Sequence, residues 1–343
     1  MNWISPFALA KLGILGMNRR NCSYIGRYND RERFPLVDDK LKTKLICEKA
    51  GLNAPALLHT VRSQHEIERI EHELIKLPNF VIKPAQGSGG KGILVVVGKQ
   101  GEDFVKSSGA IITIDDVKRH MTNTLSGLHS LGGRPDVAII ESLVVANPIF
   151  DDYSYEGVPD IRLIVFKGYP VMGMLRLATR QSDGKANLHQ GAVGVGLDIG
   201  SGRAVGAVQF NQPVTNHPDT NAPLLDLQVP NWHQLLVLAS SCYEVTQLGY
   251  LGCDIVLDEH KGPLLLELNA RPGLSIQIAN GAGLLPRLRQ IEALDEFYKS
   301  VEQRVAYSVE HFGDGAAAVQ SRLFDDTDVA AKVVETLTQG TEP

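Results

Sequence analysis

The residues with the clearest chemical potential are an aspartate, a glutamate and an asparagine in residues 252–274, a stretch whose pattern predicts a β-hairpin. A register centred between residues 260 and 261 puts Asp254 opposite Glu267, and Asn269 follows Glu267 on the same face. Like charges that face each other across two strands are destabilising, and a divalent cation between them reverses this effect. Because Mg²⁺ prefers carboxylate and amide oxygens, Asp254, Glu267 and Asn269 are the predicted metal ligands. The alternative is an amphipathic hairpin with two solvated acids.

The rest of this hairpin is expected to position those ligands. Its strands are predicted at Asp254–Asp258 and Leu264–Asn269, with a polar turn over residues 259–262. The same register pairs Val256 with Leu265. The other face is apolar and is predicted to be core: Ile255, Leu257, Leu264, Leu266 and Leu268.

A glycine-rich loop lies between two apolar β runs in FVIKPAQGSGGKGILVVV, residues 80–97. Its backbone N–H groups could close over phosphates, and Lys83, on the entering strand, could pair with phosphate oxygens. The loop is neither a Walker A motif nor a good dinucleotide fingerprint, because a β-branched run follows where a helix should open. The alternative is a plain hairpin turn. The predicted phosphate-binding residues of the loop are Gly87, Ser88, Gly89, Gly90 and Lys91.

Three charged residues lie inside predicted strands, where each needs a partner. Glu141, in VAIIESLV, could bind an adenine amino group or a ribose hydroxyl, or it could pair with a lysine or arginine. Arg162 and Arg176 belong to a hairpin over residues 160–180. They could recognise an anion through the guanidinium fork, or pair with Asp160 or another acid.

Helices are predicted from their capping residues and apolar periodicity. One begins after Asp39 and is closed by Gly51, and a second follows the capping residue Ser63. Further helices are expected at residues 114–130, at Trp232–Gln247 and between Pro286 and about Arg304, with a loosely attached helix in the tail after Gly313.

Composition excludes several classes of protein. The chain has 343 residues, of which 43% are apolar, and a net charge of −5, which argues against a surface that coats nucleic acid. No apolar run is long enough to span a bilayer. The four cysteines have no paired spacing, which favours reduced thiols in a cytoplasmic protein over a disulfide framework or a zinc site.

The N-terminal segment is apolar and then basic. Its basic pair follows the apolar part, which is the wrong order for a signal peptide. The apolar part is expected to be a docked helix, with a membrane-surface anchor as the alternative. The arginines could line an anionic site or belong to a solvated basic loop: Arg19, Arg20, Arg27, Arg31 and Arg33.

The order of these parts resembles the ATP-grasp superfamily, and most closely its RimK-like branch of alpha-L-glutamate ligases. The resemblance covers roughly Asp39 to Leu285 and rests on six stretches: DKLKTKLICEKAGLNAPAL, VIKPAQGSGGKGI, IIESLV, DIRLIVF, NLHQGA and GCDIVL…LLLELNARPGL. It implies an α+β fold in which two α+β subdomains grip ATP. The implied boundaries are an N-terminal arm at 1–37, subdomains at 38–140 and 141–305, and a tail at 306–343. This N-terminal arm is shorter than the domain that usually precedes the two ATP-binding subdomains in this family.

The resemblance also implies roles for matching residues. Lys44, with Lys40 as a further candidate, and Lys83 would contact ATP phosphates, and the metal residues would bind two Mg²⁺ ions or Mn²⁺. Adenine would contact the residues Glu141, Ser142, Leu143 and Val144. Asn187 belongs to the ATP and substrate region, Asp160 would orient its neighbours, and the implied catalytic residues are Arg162, Arg176, Arg271 and His189. Arg271 replaces a serine that is common in close relatives, which leaves the acid substrate open.

The implied activity is ATP-dependent C–N bond formation through an acyl-phosphate, adding glutamate or a similar amino acid to an acceptor. No enzyme nucleophile is needed, and catalysis would consist of positioning and charge neutralisation. The expected partners are an amino-acid or peptide substrate and, as an open question, a second copy of the chain, but not nucleic acid. The alternatives are a small-molecule kinase and a nucleotide sensor without catalysis.

Overall fold

The computed structural model describes residues 11–87, 89–295 and 300–313. It divides the chain into two compact units, one formed by residues 38–145 and a larger one formed by the residues up to Val37 together with those from Ala146 onwards. Both units combine helices with an antiparallel sheet, so the predicted α+β class is confirmed. Ser88, most of the predicted N-terminal apolar helix and the predicted tail helix lie outside the described residues.

Helices begin and end largely where the capping residues predict. The Asp39 side chain accepts hydrogen bonds from the first turn of the helix that follows it, and Gly51 adopts φ = +69° just after that helix ends. None of the described helices has the length and apolar character needed to cross a bilayer. The helices are α1 (residues 17–28, with a central π-helical part), α2 (Pro35–Asp38), α3 (Lys40–Lys49), α4 (Gln64–Leu74), α5 (Ile114–Leu125), α6 (Trp232–Thr246), α7 (Ile276–Ala279), α8 (Leu285–Glu292) and α9 (Val301–Phe312).

The smaller unit is a six-stranded sheet in the order β1-β6-β2-β3-β4-β5. Helices α4 and α5 contribute Ile67, Leu74 and Met121 to a core that also holds Phe80 and Phe104. The last of these strands in the chain, β6, ends at Glu141 and is shorter than the predicted run from Val137 to Val144. The strands are β1 (Leu57–Val61), β2 (Phe80–Pro84), β3 (Leu94–Gln100), β4 (Asp103–Lys106), β5 (Ile111–Ile112) and β6 (Ala138–Glu141).

The larger unit is a seven-stranded sheet in the order β11-β10-β9-β8-β7-β12-β13. Helix α6 covers one face, where Gly173 leaves room for the Trp232 ring, and α7 covers part of the other, where a Cβ on Gly196 would lie 2.3 Å from the Ala279 carbonyl oxygen. The strands are β7 (Asp160–Phe166), β8 (Tyr169–Leu177), β9 (Val193–Leu197), β10 (Ala204–Gln209), β11 (Gln212–Pro213), β12 (Tyr250–Asp258) and β13 (Gly262–Asn269).

The β12–β13 hairpin has the predicted pair of Asp254 and Glu267, although its register nearer the turn differs from the prediction. Val256 pairs with Leu264, so the predicted partner Leu265 is wrong. The turn is tighter than expected because Asp258 Oδ1 accepts hydrogen bonds from two backbone N–H groups of the turn, at 3.0 and 2.9 Å. A β-bulge between Asp254 and the next residue then shifts the register and restores the predicted pair.

Candidate functional site

A row of paired residues crosses five strands of the larger unit. Glu267 pairs with Asp254, Asp254 with Arg162, Arg162 with Met174, and Met174 with Gly196. Paired residues share a face of the sheet, and Gly196 lies against α7. The predicted metal-binding acids and the predicted catalytic arginine therefore project from the same face that α7 covers at the far end of the row.

Two arginines enclose the carboxylate of Asp254. Arg162 donates through Nε to Oδ1 at 2.7 Å and through Nη2 to Oδ2 at 2.6 Å, and Arg176 Nη2 donates to Oδ2 at 2.9 Å. Arg176 also forms a two-point ion pair with Asp160 across the β7–β8 pair. The guanidinium forks are thus satisfied by acids of the chain, which is the structural alternative that the sequence left open.

Burial and charge act in opposite directions on the two aspartates. Burial favours the neutral form of Asp254, but Arg162 and Arg176 outweigh it and lower the pKa of Asp254 to about 2. For Asp160, burial prevails over Arg176 and the nearby Asp254 charge adds to it, so the pKa rises to about 6. The same two acids raise the pKa of Arg176 against the effect of burial. At neutral pH this cluster of two arginines and two aspartates carries almost no net charge.

The predicted ligands provide oxygen donors suited to a magnesium ion. Asp254 is buried, whereas Glu267 and Asn269 are half-buried on the neighbouring strand. Three arginine hydrogen bonds use most of the acceptor capacity of Asp254, so Glu267 and the Asn269 amide oxygen are the more accessible donors. The part of the chain that the structure describes contains no cluster of three or more histidine, cysteine, aspartate or glutamate side chains arranged for a metal.

Arg271 lies two residues beyond the end of β13. Its backbone N–H donates to Asn269 Oδ1 at 2.8 Å, and its guanidinium group lies over the Phe34 ring, 4.9 Å from the centroid. The next residue, Pro272, covers Gly252 on β12. Arg271 is thereby held beside a predicted metal ligand, at the exposed edge of the same face.

Two other predicted residues of the larger unit have local roles. Asn187 caps a short 3₁₀ turn, since its Oδ1 accepts a hydrogen bond from the His189 N–H at 3.0 Å. The His189 side chain is exposed. No hydrogen bond or ion pair between described residues joins either side chain to the arginine–aspartate cluster.

In the smaller unit, Glu141 binds two of the predicted phosphate lysines. Lys83 Nζ lies 2.5 Å from Glu141 Oε1 and Lys44 Nζ lies 2.7 Å from Oε2, and all three side chains are buried. Burial favours a neutral Glu141, but the two lysines outweigh it and lower its pKa. Burial also lowers the pKa of Lys44, which Glu141 partly offsets. A lysine partner for Glu141 is the alternative that the sequence left beside adenine contact.

The glycine-rich loop between β2 and β3 is anchored at both ends. Gly87 pairs with Ser130 in an isolated bridge, and a Cβ on Gly92 would lie 2.4 Å from His129. Gly89 and Gly90, at the tip, are exposed, and a Cβ on either would meet nothing within 4 Å. Lys91 is exposed, and Lys40 Nζ donates to the Gly87 carbonyl at 2.7 Å.

The residues after β6, predicted to contact adenine, are half-buried and outside regular structure: Ser142, Leu143 and Val144. Ser142 exchanges hydrogen bonds with Ala56, since its N–H donates to the Ala56 carbonyl at 2.9 Å and its hydroxyl accepts from the Ala56 N–H at 3.0 Å. These bonds fix the chain as it leaves the sheet.

Sequence reasoning missed residues that hold the site in place. Asp136 accepts hydrogen bonds from the Gln86 N–H at 3.0 Å and from the Ser130 hydroxyl at 2.5 Å, and so fixes the base of the glycine-rich loop. A lone acid directly before the apolar β6 was an available signal. Asn29, which fastens the N-terminal segment to Tyr250 of β12 and to Ala270 just after β13, gave no signal because these partners are 221 and 241 residues away.

Comparison with known proteins gives distant structural likenesses. No curated protein matches the sequence. The ATP-grasp ligase PsnB, solved with a minimal precursor, is 12% identical with a TM-score of 0.42, covering 77% of this chain and 61% of its own. Biotin carboxylase from Campylobacter jejuni is 14% identical with a TM-score of 0.46, covering 81% and 47%. D-alanine–D-alanine ligase from Bacillus anthracis is 13% identical with a TM-score of 0.41, covering 81% and 69%.

The chain thus spans about three fifths of the PsnB chain and about half of the biotin carboxylase chain. Likenesses this distant do not inform function. A family model gives the decisive match, since the model of sugar-transfer associated ATP-grasp proteins covers residues 19–293, well over half of the chain. The predicted membership of the ATP-grasp superfamily is confirmed, while the narrower resemblance to the RimK-like branch stays a prediction. By this match, the chain belongs to the sugar-transfer associated ATP-grasp family.

Proposed function

We propose that this protein is an ATP-dependent carboxylate–amine ligase that forms an amide bond through an acyl-phosphate. The observation that carries the proposal is the pairing of Asp254 with Glu267 on adjacent strands, with Asn269 next along the same face. Arg162 shares the row with these oxygen donors. Such a face can receive a nucleotide triphosphate with its magnesium and also neutralise a carboxylate that attacks it.

The reaction has two steps, both of which change the distribution of negative charge. A carboxylate oxygen of the acid attacks the γ-phosphorus of ATP, the bond to the β-phosphate oxygen breaks, and ADP leaves. The amine nitrogen then attacks the acyl carbon, phosphate leaves with the electron pair of the C–O bond, and the nitrogen loses a proton. Neither step needs an enzyme nucleophile, so the side chains act by positioning and electrostatics.

In the larger unit, arginines and oxygen donors divide this work. Asp254, Glu267 and Asn269 would hold magnesium, which when bound neutralises phosphate charge as a Lewis acid. Arg162 and Arg176 lie beside Asp254 and are held in fixed directions by their ion pairs. They would therefore lie in fixed orientations near the developing oxyanion, and a magnesium ion that draws on Asp254 would leave more of their positive charge for it.

In the smaller unit, the buried cluster of Lys44, Lys83 and Glu141 contains two cationic groups and one anionic group. An excess of positive charge in a buried place favours an anion, and ATP phosphates would supply it. The loop anchored at Gly87 and Gly92 has two exposed glycines, Gly89 and Gly90, whose backbone N–H groups could bind phosphate oxygens. Closure of such a loop over phosphates would exclude water, which otherwise hydrolyses an acyl-phosphate.

For the substrates, we propose an acidic amino acid such as glutamate as the acid and an amino acid or a peptide as the amine. An amino sugar belongs in the same test, because the family is described as associated with sugar transfer.

The test measures ADP and phosphate release by the full-length protein with Mg²⁺ across acids, with and without amines, and identifies products by mass spectrometry. Amine-dependent release with an amide product supports the ligase. A phosphorylated hydroxyl product would instead show a kinase, and ATP binding without turnover on any pair would show a sensor. Glu267→Gln should abolish turnover while the fold is retained, and full turnover in this variant would refute the metal assignment.

A further inference from the structure

The first end of the glycine-rich loop is held by two side chains that follow α5. Asp136 is buried and accepts hydrogen bonds from the Gln86 N–H at 3.0 Å and from the Ser130 hydroxyl at 2.5 Å. Ser130 in turn pairs with Gly87 in an isolated β-bridge. A Cβ on Gly87 would lie 2.3 Å from the ring of Pro84, so the backbone packs closely at this point. The first end of the loop is therefore fixed through Ser130 and Asp136.

The second end of the loop is held by two histidines. His120 Nε2 lies 3.0 Å from the Gly92 carbonyl oxygen, and because a carbonyl oxygen only accepts, this ring nitrogen carries the hydrogen and donates it. A Cβ on Gly92 would lie 2.4 Å from Cγ of His129. The His120 and His129 rings are stacked, with centroids 5.6 Å apart and 27° between their planes. Burial lowers the pKa of His120, so this ring is neutral at pH 7.

His129 and Ser130 are neighbours in the chain, yet they hold opposite ends of the loop. The segment that carries them is folded back on the end of α5, since the Ser130 N–H donates to the Gly127 carbonyl at 3.1 Å and the Asp136 N–H donates to the Leu125 carbonyl at 3.3 Å. The two ends of the loop are thus joined to one support, and a shift of this support moves both of them.

We propose that His120, His129, Ser130 and Asp136 form a clasp that holds the glycine-rich loop in shape before a ligand binds, with His120 as the positioning residue for the second end. A loop that is already ordered loses less conformational entropy when its N–H groups bind phosphate oxygens, so the clasp should raise the affinity for the ligand. That this ligand is a nucleotide rests on the proposed function, whereas the hold on the loop rests on the contacts alone.

The test is the rate at which trypsin cleaves after Lys91 in the nucleotide-free, full-length protein, followed by mass spectrometry. Lys91 is exposed and precedes Gly92, so cleavage there measures how often this end of the loop opens. Cleavage after Lys76 in the same digest is the internal control, because Lys76 is exposed and belongs to the same unit.

Variants of the histidine separate its hydrogen bond from its bulk. His120→Leu fills similar space without a donor and should speed cleavage after Lys91 by about 2- to 10-fold, the factor that corresponds to the net loss of one ordinary hydrogen bond. His120→Gln keeps an N–H donor at a similar distance from the backbone and should retain nearly the wild-type rate. His72→Leu, the same change at an exposed histidine of α4, should leave the rate unchanged.

A variant of the first end keeps the proposal testable if His120→Leu does not fold. Ser130→Ala removes the hydroxyl that Asp136 accepts and should also speed cleavage after Lys91. An unchanged rate after Lys91 in His120→Leu, an equal acceleration after Lys76, or an equal acceleration in His120→Gln would overturn the role of His120. An unchanged rate in Ser130→Ala would overturn the hold on the first end.

A calorimetric titration with ADP and Mg²⁺ lets the clasp and the proposed function fail separately. ADP affinity should fall in His120→Leu by the same factor as cleavage rises, and should stay at the wild-type value in His120→Gln and His72→Leu. Faster cleavage with unchanged ADP affinity would overturn the link between the clasp and nucleotide binding. A wild-type protein that does not bind ADP would refute the ATP-dependent function, and the cleavage rates alone would then decide the clasp.

Discussion

Asp254 and Glu267 face each other and are assigned the same metal, yet the structure predicts different consequences when each loses its charge. Asp254 is buried and neutralises two arginines, whereas Glu267 is half-buried on the edge strand of the sheet. The matched changes are Asp254→Asn and Glu267→Gln, which each replace one carboxylate oxygen by an amide nitrogen. Both should abolish turnover, but only the first should unfold the larger unit easily.

The size of the difference follows from the ion pairs. Without the Asp254 charge, Arg162 keeps no acidic partner among the described residues, while Arg176 keeps Asp160. Leaving a buried charge without its partner costs about 3–5 kcal/mol, a large part of the stability of an ordinary domain. Glu267→Gln removes a partly hydrated charge and should lower the free energy of unfolding by no more than about 1 kcal/mol.

Urea unfolding followed by the fluorescence of Trp232 measures this difference, because that ring is packed on the sheet of the larger unit. The chain has two tryptophans, so both variants are made on a Trp3→Phe background. Equal losses in the two variants, or a loss below about 1 kcal/mol for Asp254→Asn, would refute the arginine–aspartate network as described.

Three further perturbations test other parts of the structure. Burial raises the pKa of Asp160 to about 6 in the folded protein, whereas its pKa in the unfolded chain is near 4. The contribution of Asp160 to the free energy of unfolding is therefore fully present below pH 4 and is lost as pH rises through 6. The free energy of unfolding of the wild type minus that of Asp160→Asn should therefore fall by up to about 2–3 kcal/mol between pH 4 and pH 7, and a rise would contradict it. Glu141→Gln leaves two buried ammonium groups without an anion and should destabilise the smaller unit by about 3–5 kcal/mol, as measured by hydrogen exchange in that unit. Gly92→Ala combines φ = +74° with a contact to His129 and should lower ATP affinity, measured by titration, more than its control Gly90→Ala, which has φ = +75° but open space.

The β12–β13 hairpin shows how much of the structure local sequence patterns can predict. Alternation of polar and apolar residues was enough to predict that Asp254 faces Glu267, because the side-chain period of a strand fixes which residues share a face. It was not enough for Val256, because the turn is set by hydrogen bonds from the Asp258 side chain and the register is reset by a bulge. The shorter turn and the bulge each shift the strand register by one residue in opposite directions, so the two shifts cancel at the Asp254–Glu267 pair.

Only some partners of the charged residues inside strands could be predicted from the sequence: Asp160 was named as a possible partner of Arg176, whereas Asp254 was not named as a partner of Arg162. The sequence showed that Glu141, Arg162 and Arg176 needed partners, because charged groups are costly inside strands. Which partner each one takes depends on strand order, since β12 lies between β7 and β13 and so delivers Asp254 to Arg162. Strand order is a long-range property that no window of residues contains.

The hydrogen bonds of Asn29 have a consequence for how this chain is synthesised. They join α1 to residues about 220 positions later, with the whole 38–145 unit in between. On the ribosome, the intervening unit is complete while α1 still lacks the strand on which it docks, and loop closure over such a distance is slow. The segment formed by α1 and Asn29 is consequently among the last parts of the chain to assemble. A nascent chain stalled before Tyr250 would leave this segment accessible to protease.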